Sequence, residues 1–306
     1  MTDASAAAFR QAQGGPEHGR RAARKERLGT DVFRWFTTSV LVLFTVLVAS
    51  LFVADLAYVD RESLLGLVTS PHIRSACVLS LVTSLIATGI SVLVAAPTAY
   101  ALSRYRFRGI IVLDVMVDLL IVMPVLVIGV SLLVFFQVGR GLVQSNVFPL
   151  HWLGWAIGRC GDFFIYNKPG IVLAQFFCSV SYAIRTIKAA FDEIDPRTEQ
   201  VAMTLGCSRA GAFWRVTLPL ARAGILAGTV LAWVRAFGIF GPIIIVAGGV
   251  RGKTEVLPTS IYLEISIGRL EAALAISLFM VAAATAVLLA LRAVAGKSVL
   301  GGGGTK

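Results

Sequence analysis

The chain has 306 residues, of which 57% are hydrophobic and 15% charged, with a mean hydropathy of +0.81 and a formal net charge of +11. So apolar a balance excludes an ordinary soluble domain and requires a bilayer. The positive charge does not point to nucleic acid, because it is spread between hydrophobic segments in the pattern of a membrane protein.

Six apolar runs, near 34–57, 76–101, 110–136, 170–188, 222–246 and 271–293, are each long enough to cross a hydrocarbon core, which takes about 20 helical residues. Backbone polar groups in lipid must be satisfied internally, so continuous runs predict helices; a barrel needs alternating strands instead. Residues 1–33, rich in Ala, Gly and Arg, read as a disordered cytoplasmic tail in reach of anionic lipid. The apolar run that follows is too late and too long for a cleaved signal. The first span carries Arg34 and Trp35 at one end and Tyr58 at the other, where basic and aromatic anchors belong.

The second span ends in Ala95, Ala96, Pro97, Thr98, Ala99 and Tyr100 and turns through Arg104, Arg106 and Arg108 to Gly109, a tight hairpin. The third carries Asp114 and Asp118, one turn apart on one face, and then Pro124 at mid-membrane. Acids in a span read either as a proton or ion relay or as partners of basic residues near the membrane face. Pairing with Arg104, Arg106 or Arg108 is the reading preferred. Residues 137–169, with Trp152 and Trp155, predict an interfacial loop or short helix.

The fourth span leads to Asp195 and Pro196, an N-cap followed by proline at the first helical position. Glu199, Gln200 and Ala202 open a short helix, Gly206 allows a sharp turn, and a second run passes through Phe213, Val216 and Leu218 to Pro219. This polar, Arg-bearing island between two apolar spans predicts a helix pair lying across the membrane face. Leu205 and Phe213 are then available to a partner's groove. The fifth span holds Arg235, which costs about 2.5–3.5 kcal/mol at the centre of a lipid-facing helix and so must face protein, water or an anion. Gly238 and Gly241 permit close helix approach and Pro242 a kink.

Positions 248–254 look like a phosphate loop, but Ala247 stands where that pattern needs glycine, and no nucleotide site is expected there. Cys77, Cys160, Cys178 and Cys207 show no pairing pattern. His18, His72 and His151 are scattered, so neither a disulfide framework nor a metal site nor a cofactor is expected. Lys and Arg concentrate in the tail, the 104–108 hairpin, the 189–221 loop and the C-terminal end. The positive-inside rule therefore places both termini and that loop in the cytoplasm of a multi-pass protein. Residues 294–306, with the run Gly301 to Gly304, read as a flexible cytoplasmic end.

Residues 199–219 resemble the EAA-x3-G-x9-I-x-L-P signature of permease subunits of binding-protein-dependent ABC importers, with Gly206, Val216, Leu218 and Pro219 in register. Gln200 and Val201 depart from it. Ala95 to Gly109, the stretch Phe191, Asp195, Pro196, Glu199, Ala202, Leu205 and Gly206, the segment after Arg235, and Thr254 to Tyr262 are similar to the molybdate, tungstate and sulfate permeases. Ile239 stands where those usually have Glu. The resemblance covers 76–293, which it makes the permease core. It implies an all-α integral membrane fold of the type I importer class with six transmembrane helices and a cytoplasmic coupling-helix loop. It also implies a bacterial or archaeal plasma membrane, two separate ABC ATPase subunits, an extracytoplasmic solute-binding protein and a second permease, with a homodimer expected. Arg235 reads either as half of a structural ion pair, with Asp114 or Asp118 as candidate partners, or as a residue of the anion path, for which Gly238, Gly241 and Pro124 are the other expected residues. An importer of iron, phosphate or thiamine, or a carrier driven by ions through Asp114 and Asp118, is the alternative.

Overall fold

The computed structural model describes the backbone of residues 16–59, 70–142 and 148–300 and the side chains of 33–59, 70–141 and 154–289. Most of the described residues are helical, and no strand occurs among them. The chain divides into two compact units, Met1–Tyr58 and Val59–Lys306. The first unit contributes α1, Pro16–Tyr58. Residues 16–33 are therefore helical rather than disordered, as suits a stretch of Ala, Arg, Glu and Lys, all good helix formers. Residues 1–15 of the expected tail lie outside the described residues.

The second unit is a bundle built around α6 (Lys168–Asp192), which packs mainly on α2 (Pro71–Arg104) and α9 (Arg222–Phe237). Close packing without a hydrophobic drive between helices needs small side chains, and α2 supplies them. Its buried positions are Ala76, Ser80, Thr83, Ser84, Ala87, Thr88, Ser91, Ala95 and Ala99, with Leu102 at the end. Ser91 and Ser179 share a hydrogen bond of 2.9 Å across the α2–α6 contact. On the other side Gly224 and Gly228, four residues apart on α9, let its backbone down onto Ala190, Ile187 and Ala183 of α6. A Cβ at Gly224 would overlap that of Ala190, and one at Gly228 would lie 2.8 Å from Ile187 Cγ1. Gly224→Val is expected to destabilise the bundle by about 1–3 kcal/mol through overpacking, read as a lower melting temperature of the purified chain. An unchanged melting temperature would show that α9 does not rest on α6 in this way.

Two of the six expected spans are broken. The 110–136 run forms α3 (Ile110–Val122) and α4 (Val125–Leu142), which meet at a 113° bend. Pro124 has no amide for a continuing helix, and Met123 before it is extended at ψ 132°. The 222–246 run stops at Phe237 and restarts as α10 (Gly241–Ala247). Gly238 and Gly241 thus sit at a helix break; Gly241 still lets α10 close onto Leu126 of α4, while the close contact of α9 with α6 is made by Gly224 and Gly228. The 137–169 region holds α5 (Phe148–Phe164), packed on α4; residues 143–147 lie outside the described residues, as does the side chain of Trp152. After α10 come α11 (Leu257–Ser266) and α12 (Leu270–Leu300). The backbone of 294–300 thus belongs to a helix rather than to a flexible end, and 301–306 lie outside the described residues. By length and composition the described residues contain four helices able to cross a membrane, or up to six if two bent pairs, Ile110–Val122 with Val125–Gly141 and Arg209–Leu220 with Arg222–Phe237, each count as one span.

Three apolar clusters order the bundle along its length. The first joins Ala95, Ala99, Ile184, Ile187 and Phe191 near the C-terminal ends of α2 and α6. The second joins Ile128, Leu132, Ile171, Ile239, Ile243 and Val246 where α4, α6 and α10 meet. The third sets Trp233 and Phe237 of α9 against Leu257 and Ile276. The α11 start is fixed by Ser80, whose hydroxyl accepts the Leu257 amide at 2.7 Å.

Candidate functional site

At the end of the bundle where α2 and α6 finish, α7 (Pro196–Thr204) and α8 (Arg209–Ala212) form the expected helix pair. Asp195 caps α7, accepting from the Arg197 amide at 2.9 Å, and Pro196 follows at the first turn. The turn after α7 is made by Gly206 at φ +93°, a left-handed conformation that suits glycine. Ser208 then caps α8, accepting from the Gly211 amide at 3.1 Å. A π-helical stretch, Phe213–Thr217, and a last turn, Leu218–Leu220, lead into α9 with a bend of 72°.

The two faces of α7 have different tasks. Glu199 and Ala202, three residues apart, point inward and are buried. Glu199 Oε1 accepts from Arg104 Nε at 2.8 Å and its Oε2 from the Tyr100 hydroxyl at 2.8 Å. Arg104 also donates to the Ile194 carbonyl at 2.8 Å. Burial pushes the Glu199 carboxyl up, but the hydrogen bonds from Arg104 and Tyr100 and the guanidinium charge outweigh it, so the group is held below its ordinary range. The outer face carries Gln200, Val201 and Leu205, the last 81% exposed.

Phe213, expected to face outward, is turned in: its ring lies 4.7 Å from that of Tyr100 and 6.2 Å from that of Phe191. The outward aromatic is its neighbour Trp214, 65% exposed, which the sequence reading passed over. Helical spacing gives no clue, because Phe213 and Trp214 lie four and three residues before the buried Thr217, each about one turn away. Val216 and Leu218 are half-buried, and Pro219 is exposed where the pair rejoins the bundle.

The expected acid partners are exchanged. Arg104 serves Glu199, while Asp114 and Asp118 are both held by Arg185 of α6, whose guanidinium reaches them at 2.7 and 2.6 Å and also donates to the Asp114 carbonyl at 2.9 Å. Arg106 and Arg108 are exposed and enter neither pair. Asp114 and Asp118 thus join α3 to α6 through one guanidinium.

Arg235 pairs with no carboxylate among the described residues. Its guanidinium donates to the Tyr182 hydroxyl at 2.7 Å and lies 4.4 Å from the centre of that ring, so Tyr182 orients it from α6. Ile239 is a buried member of the second cluster, which leaves the side of α9 that bears Arg235 without an acid from that position. Arg235 and Gly238 are both exposed, whereas Gly241 is buried with Leu126 close against it. Pro124 is exposed at the α3–α4 bend. The 248–254 loop closes on itself: the Thr254 hydroxyl donates to the Ala247 carbonyl at 2.8 Å and accepts from the Val250 amide at 2.9 Å.

Residues 87–299 match the family model described as binding-protein-dependent transport system inner membrane component. The chain is 34% identical over 264 residues to the molybdenum transport system permease protein of Mycobacterium tuberculosis, covering 86% of this chain and 95% of that relative. It is 30% identical over 256 residues to the sulfate transport system permease protein of Escherichia coli, covering 83% and 88%. The fold is similar to that of a chain from a bacterial ABC transporter involved in the import of the acidic polysaccharide alginate, with a TM-score of 0.63 at 17% identity over 89% of this chain and 99% of that one. With a capped helix pair at one end of a small-residue bundle and these matches across most of its length, the chain belongs to the binding-protein-dependent inner membrane components, the permease subunits of ABC importers.

Proposed function

We propose that this permease imports a tetrahedral oxyanion, molybdate, tungstate or sulfate. In this reading two ATPase subunits dock on α7 and α8, a solute-binding protein delivers cargo at the opposite end, and a second copy of the chain completes the path. The observation that carries the cargo is Arg235, an exposed guanidinium on a bundle helix, oriented by Tyr182 and without a carboxylate among the described residues. A fork of charged donors kept free of an acid suits a dianion. The relatives named for molybdenum and sulfate transport support the same class. The basic residues near the helix pair favour a cytoplasmic position for it and for both termini.

The chain itself performs no hydrolysis in this scheme. ATP closes the two ATPases, α7 and α8 move with them, and the Glu199 contacts carry that movement into α2 while the 213–220 segment carries it into α9. The bundles of the two permeases then rock and expose the path alternately to either side. Leu205 and Trp214 are the apolar contacts offered to the ATPase. Leu205→Asp with Trp214→Ala is expected to lower ATPase co-purification at least tenfold without lowering the melting temperature of the permease; undiminished co-purification refutes the docking assignment.

The cargo is tested by uptake of labelled molybdate, tungstate and sulfate in cells lacking their own importers, with the cognate ATPase intact or inactivated. Uptake of one oxyanion that disappears with the inactive ATPase is the expected result. Uptake that survives would mean an ion-driven carrier, and uptake of none would direct the cargo to iron, phosphate or thiamine.

A further inference from the structure

The end of the bundle opposite the helix pair, where α2 and α6 begin, holds a cavity of 670 Å3. Its charged lining comes from Arg74 of α2, Lys168 at the start of α6, and Lys253 and Glu255 of the loop before α11. Val78 and Val82, one and two turns further along α2, continue the same wall and are exposed. The three cations are exposed and pair with no carboxylate among the described residues. Glu255 is 6% exposed. One of its carboxylate oxygens accepts from the Ser260 hydroxyl at 2.9 Å, and the other has no hydrogen-bond partner among the described residues. A buried charged oxygen without a donor is costly, so this wall lacks a positive partner while the rim lacks a negative one.

Depth in the membrane narrows the choice of ligand. With 34 residues α2 is about 51 Å long, whereas a hydrocarbon core is about 30 Å thick. Centred in the bilayer, the helix projects about 10 Å beyond each face, which puts Arg74 at the level of lipid head groups and Val82 just inside the hydrocarbon. The cavity thus turns from charged to apolar where a lipid does. Its volume equals that of about 22 waters at about 30 Å3 each, room for a head group, its glycerol and the first carbons of a chain. One tetrahedral oxyanion would leave the valines bare and Glu255 without a donor. An acidic peptide would bring a second carboxylate against Glu255.

Charge decides the head group. A phosphate suits the three cations, and the free oxygen of Glu255 calls for a cationic N–H donor. Ethanolamine phosphate carries both. A glycerol head group has no cation, and the quaternary nitrogen of choline has no N–H.

We propose that this cavity binds one phosphatidylethanolamine, with the phosphate held by Arg74, Lys168 and Lys253, the ammonium turned toward Glu255, and the upper acyl carbons against Val78 and Val82.

The test is titration of the delipidated full-length permease in detergent with phosphatidylethanolamine, phosphatidylglycerol, phosphatidylcholine and free phosphoethanolamine in separate series, counting bound molecules by native mass spectrometry and following the melting temperature. Phosphatidylethanolamine is expected to bind about tenfold more tightly than either other lipid and to raise the melting temperature, while free phosphoethanolamine, lacking the acyl carbons, does neither. Arg74→Gln with Lys253→Gln, both at exposed positions, should weaken all three lipids about 30-fold. Glu255→Gln should remove the preference for phosphatidylethanolamine and leave phosphatidylglycerol bound at least as well as before. Phosphatidylethanolamine bound no more tightly than phosphatidylglycerol, undiminished binding by the Arg74 and Lys253 double variant, free phosphoethanolamine bound as tightly as the lipid, or a folded Glu255→Gln chain that keeps the preference would overturn the proposal. If Glu255→Gln does not fold, the order of the three lipids and the double variant decide.

Discussion

Arg104→Ala is expected to release the helix pair from α2, at a cost of about 3–5 kcal/mol. The side chains of Arg104 and Glu199 are 9% and 10% exposed, so removing one leaves a buried charge with too few partners. Glu199 would keep the Tyr100 hydroxyl but lose its charged partner, and the Ile194 carbonyl would lose its donor. Hydrogen exchange of the amides between 196 and 217 should accelerate by at least a hundredfold, while the α2–α6 contact around Ser91 and Ser179 stays protected. Unchanged exchange in the loop would show that α7 is held by its caps and by Phe213 alone. Glu199→Gln is the milder case, since an amide still accepts from Tyr100 but leaves the Arg104 charge unbalanced. The pH dependence has a definite sign. Because the folded carboxyl is held below the ordinary glutamate value of about 4.3, its contribution is complete above that value and is lost as the pH falls through the lower, folded one. The loop should thus hold through mildly acidic conditions and loosen only below the usual glutamate range, a loss that Glu199→Gln abolishes.

Arg235→Gln is expected to cut oxyanion uptake by about 10- to 100-fold without altering loop exchange or ATPase co-purification. Hydrogen bonds from a charged donor contribute about 1.5–3 kcal/mol, and a neutral amide gives up most of that toward a dianion. Arg235→Lys keeps the charge but loses the fork, and should fall between the two. Tyr182→Phe keeps the ring under the guanidinium and removes the hydroxyl that orients it, so a loss of a few-fold is expected. Full uptake by Arg235→Gln would take Arg235 out of the path and leave its pairing with Tyr182 as structure only.

Some of this was written locally along the chain. Apolar runs set the membrane-embedded helical class, because transfer from water to lipid is nearly additive over neighbouring residues. The helix pair was equally plain, since Asp195 and Pro196 start α7 and Gly206 ends it through backbone preferences that act within one turn. Length of an apolar run says nothing of straightness, however. Pro124 and the 238–240 break divided two expected spans because restricted dihedrals and missing amides act even where hydrophobicity continues.

The tertiary structure alone decided which charges meet. Arg104, Arg106, Arg108 and Arg185 are the same residue type, and only the packing of α2 and α3 on α6 sends Arg185 to Asp118, 67 positions away, and Arg104 to Glu199, 95 positions away. The same packing turned Phe213 inward and Trp214 outward, made Glu199 a tether rather than a partner contact, and left Arg235 with a tyrosine in place of an acid. Caps and hydropathy are properties of a residue and its near neighbours, legible in one dimension. Ion pairs and aromatic contacts depend on the rotation and depth of each helix against the others, which small residues such as Gly224 and Ser91 set through close packing over distances that no local pattern records.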